Sequence, residues 1–135
     1  MTKRRLIDTN LIVRYLVQDH EPHAAAAGKL FAACDRGDIV LVVLDAVLAE
    51  CVFVLESFYN HPRGEIATAL RTLASSPGIQ IALLAVTLDA LDRYRRSNVH
   101  FVDCLIAATA AADDLAVATF DRDFRKFIGI RVETG

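Results

Sequence analysis

No apolar run in this sequence approaches the roughly 18 residues that a helix needs to span a bilayer. The basic start "MTKRR" leads into no apolar signal-peptide core, so a cytoplasmic protein is expected, with no membrane association. Cysteines number three, an odd count, and Cys34, Cys51 and Cys104 form no C-x-x-C pair. Cys51 and Cys104 lie in apolar helical runs and read as small core residues. The four histidines, His20, His23, His61 and His100, show no H-E-x-x-H pattern and no Cys/His ligand spacing, which argues against zinc. His20 and His23 are expected on the surface around a helix start. Repeats, low-complexity tracts and linkers are absent, so residues 1–135 are expected to form a single domain. A surplus of positive charge is absent as well. The formal net charge of −2 argues, on its face, against nucleic-acid binding. That argument loses force if carboxylates converge and hold cations. Arg4 and Arg5, the "RYRR" run at 93–96, and Arg122 with Arg125 could still supply local positive surface.

What is present is a well-packed globular composition. The chain has 135 residues, 54% of them hydrophobic and 24% charged, enough to bury a sizeable core. "RRLID" reads as a short strand ending at Asp8, followed by a helix over "NLIVRYLVQ". "PHAAAAGKLFAACDRG" carries apolar residues at helical spacing and stops at Gly37. "IVLVVL", 39–44, is a continuous Val-rich run, the pattern of a strand covered on both faces. Asp45 is expected to cap the helix "AVLAECVFVLESFY". "HPRGEIATALRTLASS" reads as a helix with Pro62 in its first turn and Pro77-Gly78 as its stop. "IQIAL", 79–83, reads as a strand, and "TLDALDRYRRS" as a helix capped by Thr87. A helix from about Val102 to Asp113, a strand over "LAVAT", 115–119, and an edge strand at "IRVE" complete the pattern. Strands alternating with helices give an α/β sandwich with a mostly parallel sheet.

Ligands of such sheets bind beyond the carboxyl ends of the strands. Asp8 ends the first strand and Asp121 lies two residues past "LAVAT", so both are expected at one edge of the same sheet. Glu50 sits about a turn into the helix after the second strand, and Asp103 in the first turn of its own helix. The four can therefore converge. Each has a plainer role available to it: strand end or cap for Asp8, solvent-facing residue for Glu50, helix-dipole partner for Asp103, and turn residue or cap for Asp121. Together they are harder to dismiss. Asp103 is an acid among apolar neighbours, which is costly unless it is paired, hydrogen-bonded or metal-bound. Four like charges would repel and raise one another's pKa, an objection that a divalent cation removes. Hard oxygen donors select Mg²⁺ or Mn²⁺.

"LIDTN", "LAECVFVL" around Glu50, "FVDCLIAATA" around Asp103 and "VATFDRDF" together resemble the PIN domain nucleases, especially the VapC-type toxins of toxin–antitoxin pairs. The resemblance runs from Leu6 to Phe127. It implies a PIN-like three-layer α/β sandwich, a short-stranded, mostly parallel sheet flanked by helices. It also implies a Mg²⁺- or Mn²⁺-dependent endoribonuclease with Asp8, Glu50, Asp103 and Asp121 as both catalytic and metal-binding residues. Metal-activated water would then hydrolyse RNA to a 5′-phosphate and a 3′-hydroxyl. Asn10 and Thr119, polar groups beside the acids, are candidates to orient the ligands, while Asp123 reads as a cap. The resemblance further implies a cognate antitoxin and a homodimer, for which the apolar segment Val47 to Leu73 could supply the interface. His100 stands where many members carry another acid, and Cys104 where Ala is common.

Two other readings stand beside this one. A PIN-like module without catalysis could bind RNA or protein. A receiver-like phospho-signalling domain could use Asp45, but Asp8 is followed by Thr9 and Asn10 rather than a second acid, and Lys126 lies beyond the "DRDF" turn.

Overall fold

A computed structural model describes residues 3–133. The chain divides into two compact units, Met1–Ala82 and Leu83–Gly135.

The first unit runs β1 (Lys3–Leu6), α1 (Thr9–Val17), α2 (Glu21–Asp35), β2 (Ile39–Val43), α3 (Asp45–Ser57), α4 (Arg63–Ala74) and β3 (Ile79–Ile81). Its three strands form one parallel sheet in the order β1-β2-β3, with Arg5 opposite Leu41 and Leu41 opposite Ile79. Parallel neighbours require crossovers, and a helix pair supplies each one. Ile12, Leu41, Leu48, Leu55, Ile66 and Leu70 are buried, so the apolar stripes of α1, α3 and α4 share the core with β2. Gly78 makes the entry to β3 possible. Its φ is +84°, and a Cβ there would meet the Cys34 carbonyl oxygen at 2.8 Å and its Sγ at 2.6 Å. The far end of α1 is tied down by Asp19, which accepts from the Tyr59 hydroxyl at 2.7 Å and from Arg14 at 2.9 Å. The Tyr59 hydrogen bond is the main cause that holds the Asp19 carboxyl below its usual range.

The second unit runs α5 (Leu84–Arg96), α6 (Phe101–Asp113), β4 (Ala116–Ala118), a 3₁₀ turn (Arg122–Lys126) and β5 (Arg131–Glu133). α5 packs on α6. Ala90, Leu91 and Tyr94 of α5 are buried, as are Ala107, Ala108 and Ala110 of α6, and the small alanines let two helix backbones approach closely. β4 and β5 pair in parallel, Val117 opposite Val132. Ala110, Val117 and Phe124 form a small cluster of their own, covered by Phe127, Ile130 and Val132.

The α/β class and the parallel pairing are as expected, with six helices and five strands among the described residues. Several local expectations are corrected. Asp45 is the first residue of α3 rather than its cap; Leu44 holds that place in extended backbone with no side-chain bond. Pro62 is likewise the N-cap of α4, not a first-turn residue. Thr87 lies buried inside α5, which begins three residues earlier because Leu83 adopts a left-handed conformation, φ 57°, that cuts β3 short at Ile81. Finally, β4 bonds to β5 and β1 to β2, so the strands preceding Asp121 and Asp8 belong to different sheets rather than to one.

Candidate functional site

In the first unit, Ile7 extends the ladder beyond β1 by donating to the Val42 carbonyl at 3.2 Å, and the chain then turns into α1 at Asp8. Asp8 is the N-cap of that helix: its Oδ1 accepts from the Leu11 N–H at 3.0 Å. Its other oxygen has no hydrogen-bond partner among the described residues. Glu50 projects from α3 as an exposed side chain, also without a hydrogen bond among the described residues. The next residue, Cys51, is fully buried. Burial pushes its thiol up to about 12, with the negative charges of Glu50 and then Asp8 adding to the rise. Two carboxylates from two elements thus lie within electrostatic reach of one sulfur. Asn10, in the first turn of α1, is exposed and makes no side-chain hydrogen bond among the described residues.

In the second unit, Asp103 occupies the first turn of α6, half-buried and without a hydrogen bond among the described residues. Desolvation raises its pKa; the charge of Asp121 raises it further, nearby His100 works against the rise, and Asp123 adds to it. Asp121 follows β4 and caps the 3₁₀ turn, its Oδ1 accepting from the Asp123 N–H at 2.8 Å. Its other oxygen is free of protein donors among the described residues. Thr119 Oγ1 accepts from the Asp121 N–H at 3.0 Å, which fixes the backbone that carries this acid. Asp123, expected to be a cap, is instead ion-paired to Lys126 at 3.1 Å; the capping role falls to Asp121.

The residues singled out from the sequence therefore form two pairs, Asp8 with Glu50 and Asp103 with Asp121. Within a pair the carboxylates act on a common neighbour or on each other. Among the described residues, no group of three or more His, Cys, Asp or Glu side chains stands at coordinating distance. The donor chemistry still fits a hard divalent cation. All four are carboxylates, none spends more than one oxygen on the protein, and Asp103 stands in partly desolvated surroundings near the charge of Asp121. His20 and His23 lie exposed at the start of α2, where His20 caps by accepting from the His23 N–H at 3.3 Å. The three cysteines are free and buried.

The sequence profile of the PIN domain matches residues 5–129, nearly the whole chain and both units. The chain belongs to the PIN domain family. No curated protein matches it. PIN domains are generally nucleases, typically metal-dependent through Mg²⁺ or Mn²⁺, and PIN nucleases act on RNA. Membership displaces the receiver reading, in which Asp45 would have taken a phosphoryl group. Among the described residues, no helix of this PIN domain is long and apolar enough to cross a membrane. Phe120, between Thr119 and Asp121, went unremarked in the sequence, and the structure leaves its ring exposed. Its only signal was an aromatic placed in a turn, where no core position exists.

Proposed function

We propose that this PIN domain is a Mg²⁺- or Mn²⁺-dependent endoribonuclease, acting as the toxin of a type II toxin–antitoxin pair in the cytoplasm. One observation carries the reading. Asp8 and Asp121, on separate elements, each commit one carboxylate oxygen to a backbone N–H and keep the other uncommitted, beside Glu50 and Asp103, which commit neither. A cap bond fixes the rotamer of the side chain. The remaining oxygen is thereby left for a ligand at a reduced entropic cost.

Asp8 and Glu50, and Asp103 and Asp121, are the residues we assign as ligands and as the catalytic set. When bound, the divalent cation would activate water for attack on phosphorus and offset the charge that develops on the phosphate. The chain's own part is positioning. Thr119 holds the Asp121 backbone, and the N-terminal turn of α1 holds Asp8. Asn10 stands beside Asp8 as a polar group able to orient a neighbouring ligand. The raised pKa of Asp103 means that a bound cation would favour its ionised form.

RNA cleavage in Mg²⁺ or Mn²⁺ that stops in EDTA, with 5′-phosphate and 3′-hydroxyl ends, is the expected result. Cleavage that persists in EDTA, or ends carrying a 2′,3′-cyclic phosphate, would refute it. RNA bound but never cut would place the chain among non-catalytic binding modules instead. Expression alone should arrest a bacterial host, and Asp8→Asn or Asp103→Asn should relieve the arrest. A small neighbouring gene encoding a DNA-binding start and an arginine-bearing tail is the expected antitoxin. We assign homodimerisation to the segment Val47 to Leu73, where Phe53 and Phe58 expose large apolar surface. A monomer by light scattering at tens of micromolar would count against it.

A further inference from the structure

The 3₁₀ turn Arg122–Lys126 sorts its side chains by threes, because residues i and i+3 eclipse in this geometry. Phe124 and Phe127 take the inward row, with ring centroids 5.8 Å apart. Asp123 and Lys126 take a second row and close their ion pair. Arg122 and Arg125 take the third, and both are exposed. Every other arginine or lysine described in this unit is committed to a carboxylate. Arg93 meets Asp89, Arg95 and Arg96 meet Asp92, Lys126 meets Asp123, and Arg131 meets Asp114. Arg122 and Arg125 alone in the unit make no ion pair or hydrogen bond among the described residues.

Immediately before this turn stands Phe120, 89% exposed, the most solvated of the protein's large apolar side chains among the described residues. The backbone around it is braced. Thr119 N–H donates to the Glu133 carbonyl at 3.0 Å, Asp121 N–H to Thr119 Oγ1 at 3.0 Å, and Asp123 N–H to Asp121 Oδ1 at 2.8 Å. An aromatic ring held in water on a fixed turn, close in the chain to two uncommitted arginines, gains nothing from the fold.

We propose that Phe120, Arg122 and Arg125 form a landing surface for a single-stranded RNA segment, one base stacking on the ring and the flanking phosphates meeting the guanidiniums. The choice of RNA rests on the nuclease reading; the surface itself rests on exposure and charge. Stacking tolerates any base, and an aromatic flanked by cations is the combination that single-strand binders use. Arginine's planar fork matches phosphate oxygens better than a lysine would. Since Phe120 adjoins Asp121, the stacked base belongs to a nucleotide near the bond to be cut. Duplex RNA, whose bases are already stacked on one another, is then disfavoured.

The test uses the full chain and a labelled single-stranded RNA oligonucleotide of mixed sequence. Binding is read by fluorescence anisotropy in Ca²⁺, and cleavage separately in Mg²⁺ and Mn²⁺. Phe120→Ala and Phe120→Leu should weaken binding about 5- to 150-fold, and Phe120→Trp should restore it. Arg122→Gln and Arg125→Gln should each reduce the log–log salt slope by about 0.7, equally for all sequences. Phe120→Ala and Phe120→Leu proteins that bind as the wild type does would overturn the proposal. So would loss of self-association with RNA affinity unchanged, which would give the ring to a second copy of the chain. Binding that depends on Phe120 without cleavage in either metal would support the surface and sink the nuclease reading. EDTA-sensitive cleavage, with binding indifferent to Phe120→Ala, would do the reverse.

Discussion

The two pairs of acids differ in what registers their charge. Around Asp8 and Glu50 the nearest responsive group is the Cys51 thiol, which is buried and neutral far above physiological pH. Charge there is tolerated, because both carboxylates are exposed to water. Around Asp103 and Asp121 the responsive group is an acid of the pair itself, half-buried, with its protonation equilibrium displaced upward. The second pair thus holds an acid whose ionised form the fold disfavours. If the acids hold a cation as proposed, that cation would offset the disfavoured charge at Asp103, and mutations can test it.

The largest expected effect breaks the support of the second pair. Phe124 anchors the turn that Asp121 caps, packed with Ala110 and Val117. Phe124→Ala should cost about 3–5 kcal/mol and lower cleavage along with stability. Denaturant melts beside RNA cleavage test this, and an unchanged midpoint would contradict it.

Next comes chemistry without unfolding. Asp8→Asn and Asp103→Asn keep the side-chain shape but remove the charge that holds a cation. Each should lower RNA cleavage about 100-fold or more, since metal polarisation is worth several kcal/mol. Single-turnover cleavage in Mg²⁺ reads the loss, and a variant within a few-fold of wild type would remove that residue from the ligand set.

Smaller still is the cap. Asp8→Ala should cost about 1 kcal/mol through loss of the bond to Leu11, whereas Asp8→Asn, an equally good cap, should cost little. Urea midpoints of the two variants separate the structural duty of Asp8 from its chemical one. Equal destabilisation would mean that the hydrogen bond is not what holds α1.

The smallest effect has the opposite sign in the second unit. The folded-state pKa of Asp103 is raised above its ordinary value of 3.8, so the folded protein holds this proton more tightly than the unfolded chain does. Ionisation therefore lowers stability as pH climbs from below 3.8 through the raised folded-state value. In EDTA, Asp103→Asn should melt higher than wild type once the pH is above the raised folded-state value, and the gap should close below pH 3.8. A helix-dipole role alone would make the same variant melt lower.

The helices were legible because their apolar stripes and Gly37 are written at fixed spacing. The positions of the acids were legible too, since Asp8, Asp103 and Asp121 stand where strands end or helices begin. Caps were less so. Asp45 and Thr87 have the chemistry of caps, but helix starts are set by the backbone before them, and nothing in "IALLAVT" announces the left-handed turn at Leu83. Strand partners were hidden for another reason: β4 and β5 are three residues each, too short for alternation to name a neighbour. The rows that set Arg122 and Arg125 apart from Phe124 and Phe127 can be read only once the turn is known to be 3₁₀. The same residues on an α-helix would be distributed differently.

The most direct test of the acids as a cation site is a thermal melt titrated with Mn²⁺, on wild type and Asp103→Asn, starting from EDTA. A ligand that binds only the folded state raises stability by RT ln(1 + [L]/Kd). The account predicts that wild type starts lower and climbs steadily with Mn²⁺, while Asp103→Asn starts higher and climbs little. A wild-type protein indifferent to Mn²⁺, or an Asp103→Asn protein that climbs as far, would contradict it.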